Sequence, residues 1–447
     1  MAKSIFELPT IETPADYPYT MPSFLARMAV EHGPIFRRRF RQTDETGGSL
    51  IYMVGPEANK LILHTRRDCF SHDLGWTPVI GEFLGKGLLN MDDPPHDAHR
   101  RMMNPAFTIS YMSRYLPIMR RVIADRTREW AERGEVDVYQ EARKITFDVA
   151  AETLVGFPAG EEVDTLRKLF YTMIAGDYDP ALETEDTFWQ RMLATGMDLS
   201  QRLLGMIERR REDTAHAHDD ILTTLVRARD DDGNPLSDSQ ILGHVNILLV
   251  AGHETSTTLA SWLLYELATR PVYLERVLAE LERVAPDADE PLTLDHIREL
   301  RELGYVFNEV GRLHPPASNV PRGVVKAVEF NGYLLSPGTR VIYSIAASHR
   351  LPTIFAQPDA FDPDRFAPPR EEDRKVPYSL VTFGGGPRIC IGINFAQVEI
   401  KALAAHVLRR YTLEPTRRDI EMGYWGPTGT LPEGMPMRVR PRNLTCV

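Results

Sequence analysis

The chain has only three cysteines, Cys69, Cys390 and Cys446, in 447 residues, too few and too scattered for a disulfide framework. It also lacks any long apolar run: the longest, near residues 247–250, is soon broken by His253 and Glu254, so nothing is long enough to span a bilayer. The opening Met1-Ala2-Lys3-Ser4-Ile5-Phe6-Glu7-Leu8-Pro9 is interrupted by polar residues and proline and resembles neither a signal peptide nor a membrane anchor. A cytoplasmic protein is expected. Positive charge is in deficit as well. The formal net charge of -11 argues against non-specific binding to nucleic acid or anionic lipid. No repeat, low-complexity tract or Gly/Ser linker divides the sequence, so a single domain over 1–447 is expected.

What is present is a 43% apolar composition, enough for a large core. Residues 35–40 and 50–54 read as a strand pair around a turn at Gly47-Gly48, within a β-rich part at about 33–55. The run Arg37–Arg39 reads as a solvated strand face. From about 94 to 312 the pattern is helical, and apolar spacing predicts helices over 115–133, 186–211 and 238–269, the last capped by Ser237 or Asp238. A second β-rich part, about 317–346, holds extended pieces at 324–330 and 340–345 with turns at Asn331-Gly332 and Pro337-Gly338. A proline-rich stretch, 352–369, leads to a cysteine segment at 383–392 and a final helix over 394–411. The fold class is mainly α with a minor β region.

The cysteine segment is Phe383-Gly384-Gly385-Gly386-Pro387-Arg388-Ile389-Cys390-Ile391-Gly392. A cysteine just ahead of a helix meets unpaired backbone N–H groups and the positive end of the helix dipole, which favour its thiolate. Three glycines let the backbone approach a flat group closely, and Arg388 suits a carboxylate. A structural cysteine behind a glycine turn is the plainer reading. A phosphate-cradling loop would need a following lysine and hydroxyl residue, which are missing.

The pattern Phe-x-x-Gly-x-Arg-x-Cys-x-Gly, met at Phe383, Gly386, Arg388, Cys390 and Gly392, resembles the signature of the cytochrome P450 superfamily. Further matches occur in family order: Asp92-Asp93-Pro94-Pro95-His96-Asp97-Ala98-His99-Arg100-Arg101, then Ala251-Gly252-His253-Glu254-Thr255-Ser256 inside the 238–269 helix, then Glu309-x-x-Arg312 and Phe361-Asp362-Pro363-Asp364-Arg365-Phe366. The resemblance implies the P450 fold, with haem b between the long central helix and the cysteine loop and helix. Cys390 is then the metal ligand, and Phe383, Gly384, Arg388 and Gly392 lie against the haem. His96, Arg100 and Arg322 are assigned to the haem propionates. Ala251 and Gly252 lie against the haem, Gly252 lets the central helix widen for dioxygen, Thr255 donates a hydrogen bond there, Glu254 relays protons, and Glu309, Arg312 and Arg365 form a structural network.

The implied reaction inserts one oxygen atom of dioxygen into a small apolar substrate, by hydroxylation or epoxidation. The chain has no room for a fused reductase, so a separate ferredoxin or flavodoxin with its NAD(P)H reductase is the expected partner. A peroxide-driven peroxygenase and a haem-binding sensor are the alternatives, and neither needs the Glu254-Thr255 pair. Residues 76–91 are expected to overhang the haem, and residues 170–182 to form a lid.

Overall fold

A computed structural model describes every residue except 1, 15, 40–48, 158–159, 176–183, 214–219, 231–232, 424–428, 432 and 443–447. The expected turn at Gly47-Gly48, Cys446 and most of the expected lid lie outside the described residues. The elements that position the site are, in chain order, β1 (Ile35–Arg39), β2 (Ser49–Met53), α1 (Asp73–Leu84), α2 (Pro95–Met103), α3 (Met112–Thr127), α4 (Val138–Ala150), α5 (Glu161–Ala175), α6 (Glu185–Glu212), α7 (Asp238–Thr269), α8 (Arg301–Leu313), β3 (Asn319–Val324), β4 (Arg340–Ser344) and α9 (Ile393–Arg410).

The central helix α7 begins where the Ser237 hydroxyl accepts from the Gln240 N–H and ends at Arg270, ahead of Pro271, the bounds that the apolar spacing predicts. The predicted helix over 115–133 is instead split. α3 stops at Thr127 and a separate turn, Trp130–Arg133, follows. Trp130 causes this: its buried indole donates to Glu141 on α4 at 3.2 Å, an anchor that local periodicity cannot encode. α7 packs on α4, where buried Thr146 and Thr257 hydroxyls meet at 2.8 Å. At Gly243 the loop before α2 comes so close that a Cβ would lie 2.2 Å from the Lys86 carbonyl oxygen.

The main sheet has six strands, in the order Thr10–Glu12, β1, β2, β4, β3, Phe70–Ser71. β4 pairs parallel to β2, with Val341 opposite Ile51, and antiparallel to β3, with Val341 opposite Arg322. The expected single extended piece at 324–330 is two strands, β3 and Val328–Phe330, in different sheets. The arginine run on β1 also differs from expectation. Arg38 is buried, its guanidinium 4.0 Å from the Tyr17 ring and donating to the Tyr52 hydroxyl at 2.9 Å. Two aromatic faces supply there the partner that water would otherwise be.

The cysteine segment is held in place by a buried charge network. On α8, Glu309 accepts from Arg312 at 2.7 and 2.8 Å and from Arg365 at 3.4 Å, and it also takes the Asp362 N–H at 2.8 Å. Arg312 donates onward to the carbonyls of His349, Pro358 and Ala360, and Arg365 to that of Gln357. His349, which the sequence does not single out, completes the link. Its Nε2 accepts the Val381 N–H at 2.9 Å, and its Nδ1 faces the Arg312 carbonyl at 3.2 Å. Burial and Arg312 push its pKa down to about 3, so the neutral ring is fixed with its proton on Nδ1. The irregular stretch between β4 and the cysteine loop is thus pinned to α8. Arg365 has a second carboxylate in Glu372 at 3.2 Å, but Glu309→Ala would leave the buried Arg312 guanidinium with no carboxylate, at a cost of about 3–5 kcal/mol. Urea unfolding of the purified variant should show that loss, and an unchanged midpoint and slope would sink the network reading.

Candidate functional site

Cys390 stands three residues ahead of α9, not immediately before it as the sequence suggests, and its backbone N–H donates to the Phe383 carbonyl at 2.8 Å. That bond closes the loop. Gly384 and Gly386 have φ of 73° and 62°, the left-handed region that glycine adopts without strain. A Cβ on Gly386 would lie 2.4 Å from the Leu63 carbonyl oxygen, so this glycine answers to the neighbouring Leu61–Thr65 turn. Phe383 stacks on Phe307 of α8, centroids 6.0 Å apart. Cys390 is exposed yet set deep enough for burial to act on its thiol, so it opens onto a recess. Burial of that recess raises its pKa, while the Gly392 N–H and Arg100 pull the other way. An electropositive surround of this kind stabilises a thiolate once a cation meets it.

Three arginines stand around the recess, and they are unevenly satisfied. Arg100 on α2 is half-buried and has no hydrogen-bond partner among the described residues. Arg322 on β3 is buried. It donates to the Pro321 carbonyl at 2.7 Å, and its guanidinium sits 5.3 Å from the Tyr343 ring centre. Arg388 pairs with Asp93 at 2.9 Å and donates to the Met91 carbonyl at 2.8 Å. Burial lowers the pKa of all three arginines. His96 is buried against Asp97 and Asp93 at 3.2 and 3.4 Å, and burial and Arg388 take its pKa down to about 4. His72 is a further member that sequence reasoning missed. It ends the strand Phe70–Ser71, whose pairing sets Ser71 opposite Gly323 and so brings it beside Arg322. Burial, Arg322 and Arg388 hold it neutral. An orphaned Arg100 and a poorly satisfied Arg322 are what a bound dicarboxylate would complete.

α7, which packs on α9, runs through Ala251–Thr255 as continuous helix. Ala251 is exposed in the middle of this otherwise buried stretch, and the Thr255 hydroxyl donates to its carbonyl at 2.6 Å. The open side of Gly252 lies toward Ala150 and Leu154, at ordinary contact distances. Glu254 turns to α4, accepting from Arg143 at 2.6 Å with His253 at 3.1 Å. Burial alone would raise its pKa, but His253 and Arg143 together draw it down to about 2. His253 is packed between Phe147 and Tyr171, its Nδ1 2.6 Å from the Leu249 carbonyl. A second acid, beside Ser256 and not anticipated from the sequence, is Glu399 on α9. Its carboxyl is fully buried with neither oxygen hydrogen-bonded among the described residues. Burial, only partly offset by Ser256, raises its pKa to about 8.

The segment expected to overhang the recess forms α1 and the turn Leu88–Asn90. Trp76 and Leu84 are buried in the core while Val79 faces outward. Beside it lies a cavity of about 750 Å³ bounded by Leu84, Met91 and Leu242 together with polar Asp92, His99 and Asn246. Phe170, placed at the start of a lid by sequence, is instead a core residue on α5. It is fully buried against Phe147 at 5.6 Å.

With this geometry in place, comparison with known proteins is decisive at the family level. The family model described as Cytochrome P450 matches residues 12–433. A putative cytochrome P450 136 of Mycobacterium tuberculosis is 36% identical over 402 residues, covering 88% of this chain and 80% of that one. A sterol 14alpha-demethylase of Mycolicibacterium vanbaalenii is 29% identical over 374 residues, covering 82% of each. The solved structure of retinoic acid bound cyanobacterial CYP120A1 superposes with a TM-score of 0.84 at 25% identity, over 99% of this chain and 100% of that one. The chain belongs to the cytochrome P450 family. It is a P450 monooxygenase whose cofactor is haem b, bound through a cysteine thiolate. Among the described residues no helix is long and apolar enough to cross a membrane.

Glu399 allows a test of the buried polar seam. Its folded pKa, about 8, lies above the ordinary 4.5. The stability associated with its proton is therefore full below pH 4.5 and is lost as pH rises toward 8. Glu399→Gln, neutral throughout, should match wild type near pH 5 and exceed it by a few kcal/mol near pH 8. Urea unfolding at the two pH values reads this, and a gap that does not widen with pH would refute the assignment.

Proposed function

We propose that Cys390 is the thiolate that would hold the haem of this monooxygenase, that the enzyme oxidises an isoprenoid-type apolar substrate by hydroxylation or epoxidation, and that its electrons come from a separate protein. The observation that carries this reading is an exposed cysteine thiol in the glycine loop with Arg100 acting on it, a guanidinium that has no hydrogen-bond partner among the described residues. Arg100, Arg322 and Arg388, with neutral His96 and His72, would take the two haem propionates. Phe383, Gly384 and Gly392 shape the loop around the sulfur, and Ala251 and Gly252 of α7 would lie against the haem. When bound, the haem supplies reductive activation of dioxygen and transfer of one oxygen atom.

The protein's part is proton management and placement. Thr255 holds a hydroxyl on α7, its hydrogen on the Ala251 carbonyl until another acceptor competes for it. Glu254 is ionised and clamped by Arg143 and His253, so passing a proton toward Thr255 requires it to leave that clamp. This acid–alcohol pair favours dioxygen-driven turnover over peroxide use or a sensor role. A ferredoxin or flavodoxin with its NAD(P)H reductase suits the electron requirement, and the cytoplasm suits the reducing partners. For substrate, the retinoic acid of the cyanobacterial structure and the sterol of the mycobacterial relative support a fused-ring or polyene hydrocarbon skeleton.

Cys390→Ser should abolish the red-shifted Soret band of the ferrous carbon monoxide complex, whereas Cys69→Ser, at a buried thiol contacted by Arg66, should keep it. A normal thiolate spectrum in Cys390→Ser would overturn the ligand assignment. Thr255→Ala removes a hydroxyl and little volume from a helix that tolerates alanine, so haem content and substrate-induced spectral shifts should persist. Product per NAD(P)H should fall severalfold, because the positioned proton donor is lost, while hydrogen peroxide rises. Coupling equal to wild type would remove Thr255 from the mechanism.

A further inference from the structure

Away from the cysteine loop, the last turns of α9 and the middle of α3 close on a second cavity, of about 300 Å³, at the lower end of small-molecule sites. Four arginines line it, Arg120 and Arg121 from α3 and Arg409 and Arg410 from α9, together with His406; residues 288–292 form the remaining wall. Their partners differ. Arg121 is held by Glu152 and Asp125. Arg410 reaches the Ala288 carbonyl and, at 3.4 Å, the outward-turned Asp289. Arg120 and Arg409 meet no carboxylate among the described residues. Arg120 donates to the Leu292 carbonyl at 2.7 Å, and Arg409 to the carbonyls of Asp287 and Glu290.

Arg409 is the telling member. It is 6% exposed, and its buried Nε has no partner. Burial and the adjacent Arg410 disfavour its charge more than Asp287, Glu290 and Asp289 favour it. His406 adds no cation. Its Nε2 meets the Thr127 hydroxyl at 3.1 Å, whose own hydrogen goes to the Ile123 carbonyl, so Nε2 donates and Nδ1 is left as an acceptor facing Arg410. Guanidinium forks converging from two helices on one small cavity match an anion with several equivalent oxygens better than a single carboxylate.

We propose that this cavity binds a tetrahedral oxyanion, either inorganic phosphate or the phosphate group of a small phosphorylated compound, held by Arg120, Arg409 and Arg410. Such a ligand would tie α3 to α9, the helix that follows the cysteine loop, and would stabilise the haem-loaded fold by mass action.

Isothermal titration of the haem-loaded protein with inorganic phosphate, against chloride at equal ionic strength, should show one saturable site and a matching rise in unfolding temperature. Glycerol phosphate in a parallel titration separates the two sources: binding at least as tight as phosphate points to a phosphorylated compound, and phosphate alone to the free ion. Arg120→Gln and Arg409→Gln should each weaken binding by roughly tenfold, the effect of losing one charge-assisted contact. Arg440→Gln, at an exposed strand position, should leave it unchanged. Should Arg409→Gln fail to fold, Arg120→Gln at the half-buried rim carries the test alone. Unsaturable binding, equal binding of acetate, or wild-type affinity in Arg120→Gln would overturn the proposal. So would a cavity that answers only to an acidic protein, since phosphate would then not bind. An intact carbon monoxide spectrum throughout keeps this outcome separate from that of the haem assignment.

Discussion

The carboxylate of Glu309 answers for two buried guanidinium groups and one backbone N–H, and the path of the chain toward the cysteine follows from that. Charges so far from water persist only when every donor has an acceptor. The irregular stretch after β4 supplies the acceptors, the carbonyls of His349, Gln357, Pro358 and Ala360. A segment with little regular hydrogen bonding of its own is thereby forced into one conformation. His349 then passes that constraint to Val381, two residues ahead of Phe383, whose carbonyl closes the Cys390 loop. Rigidity at the sulfur is inherited from a carboxylate on another helix.

The recess itself follows the opposite rule. Its arginines are buried or half-buried without full sets of partners, and their charge is disfavoured where they stand. That imbalance would be a defect in a structural cluster. In a binding site it is a store of favourable interaction released when a dianionic ligand arrives. The same contrast separates the Glu309 network from the cavity between α3 and α9. There Arg409 has carbonyl partners but an unpaired Nε and no carboxylate among the described residues.

Between these regions α7 meets two acids in opposite states, one its own and one from α9. Glu254 is kept ionised because Arg143 and His253 face it directly. Glu399, reaching α7 from α9, is kept protonated because only Ser256 offsets its burial. Thr255 lies between them in sequence context, next to Glu254 on one side and Ser256 on the other. A helix otherwise built to be buried thus meets an anionic group on its α4 side and a neutral acid on its α9 side, with the Thr255 hydroxyl between them in the chain.

What was legible in the sequence was contiguous. The cysteine signature, the Glu254-Thr255 pair, the caps and bounds of α7, and the Glu309, Arg312 and Arg365 set all lie in short segments whose spacing carries chemistry, and together they identified the family. The rest depended on pairings between distant segments. His72 joins the arginines only because Ser71 pairs with Gly323. Arg38 leaves the solvent because Tyr17 and Tyr52 enclose it. Phe170 is core rather than lid because Phe147 lies beside it. Glu399 and Arg409 read as ordinary helix residues until α7 and α3 cover them. Spacing along one strand or helix fixes which residues share a face, but desolvation, and with it charge state and reactivity, depends on which other face arrives to exclude the water.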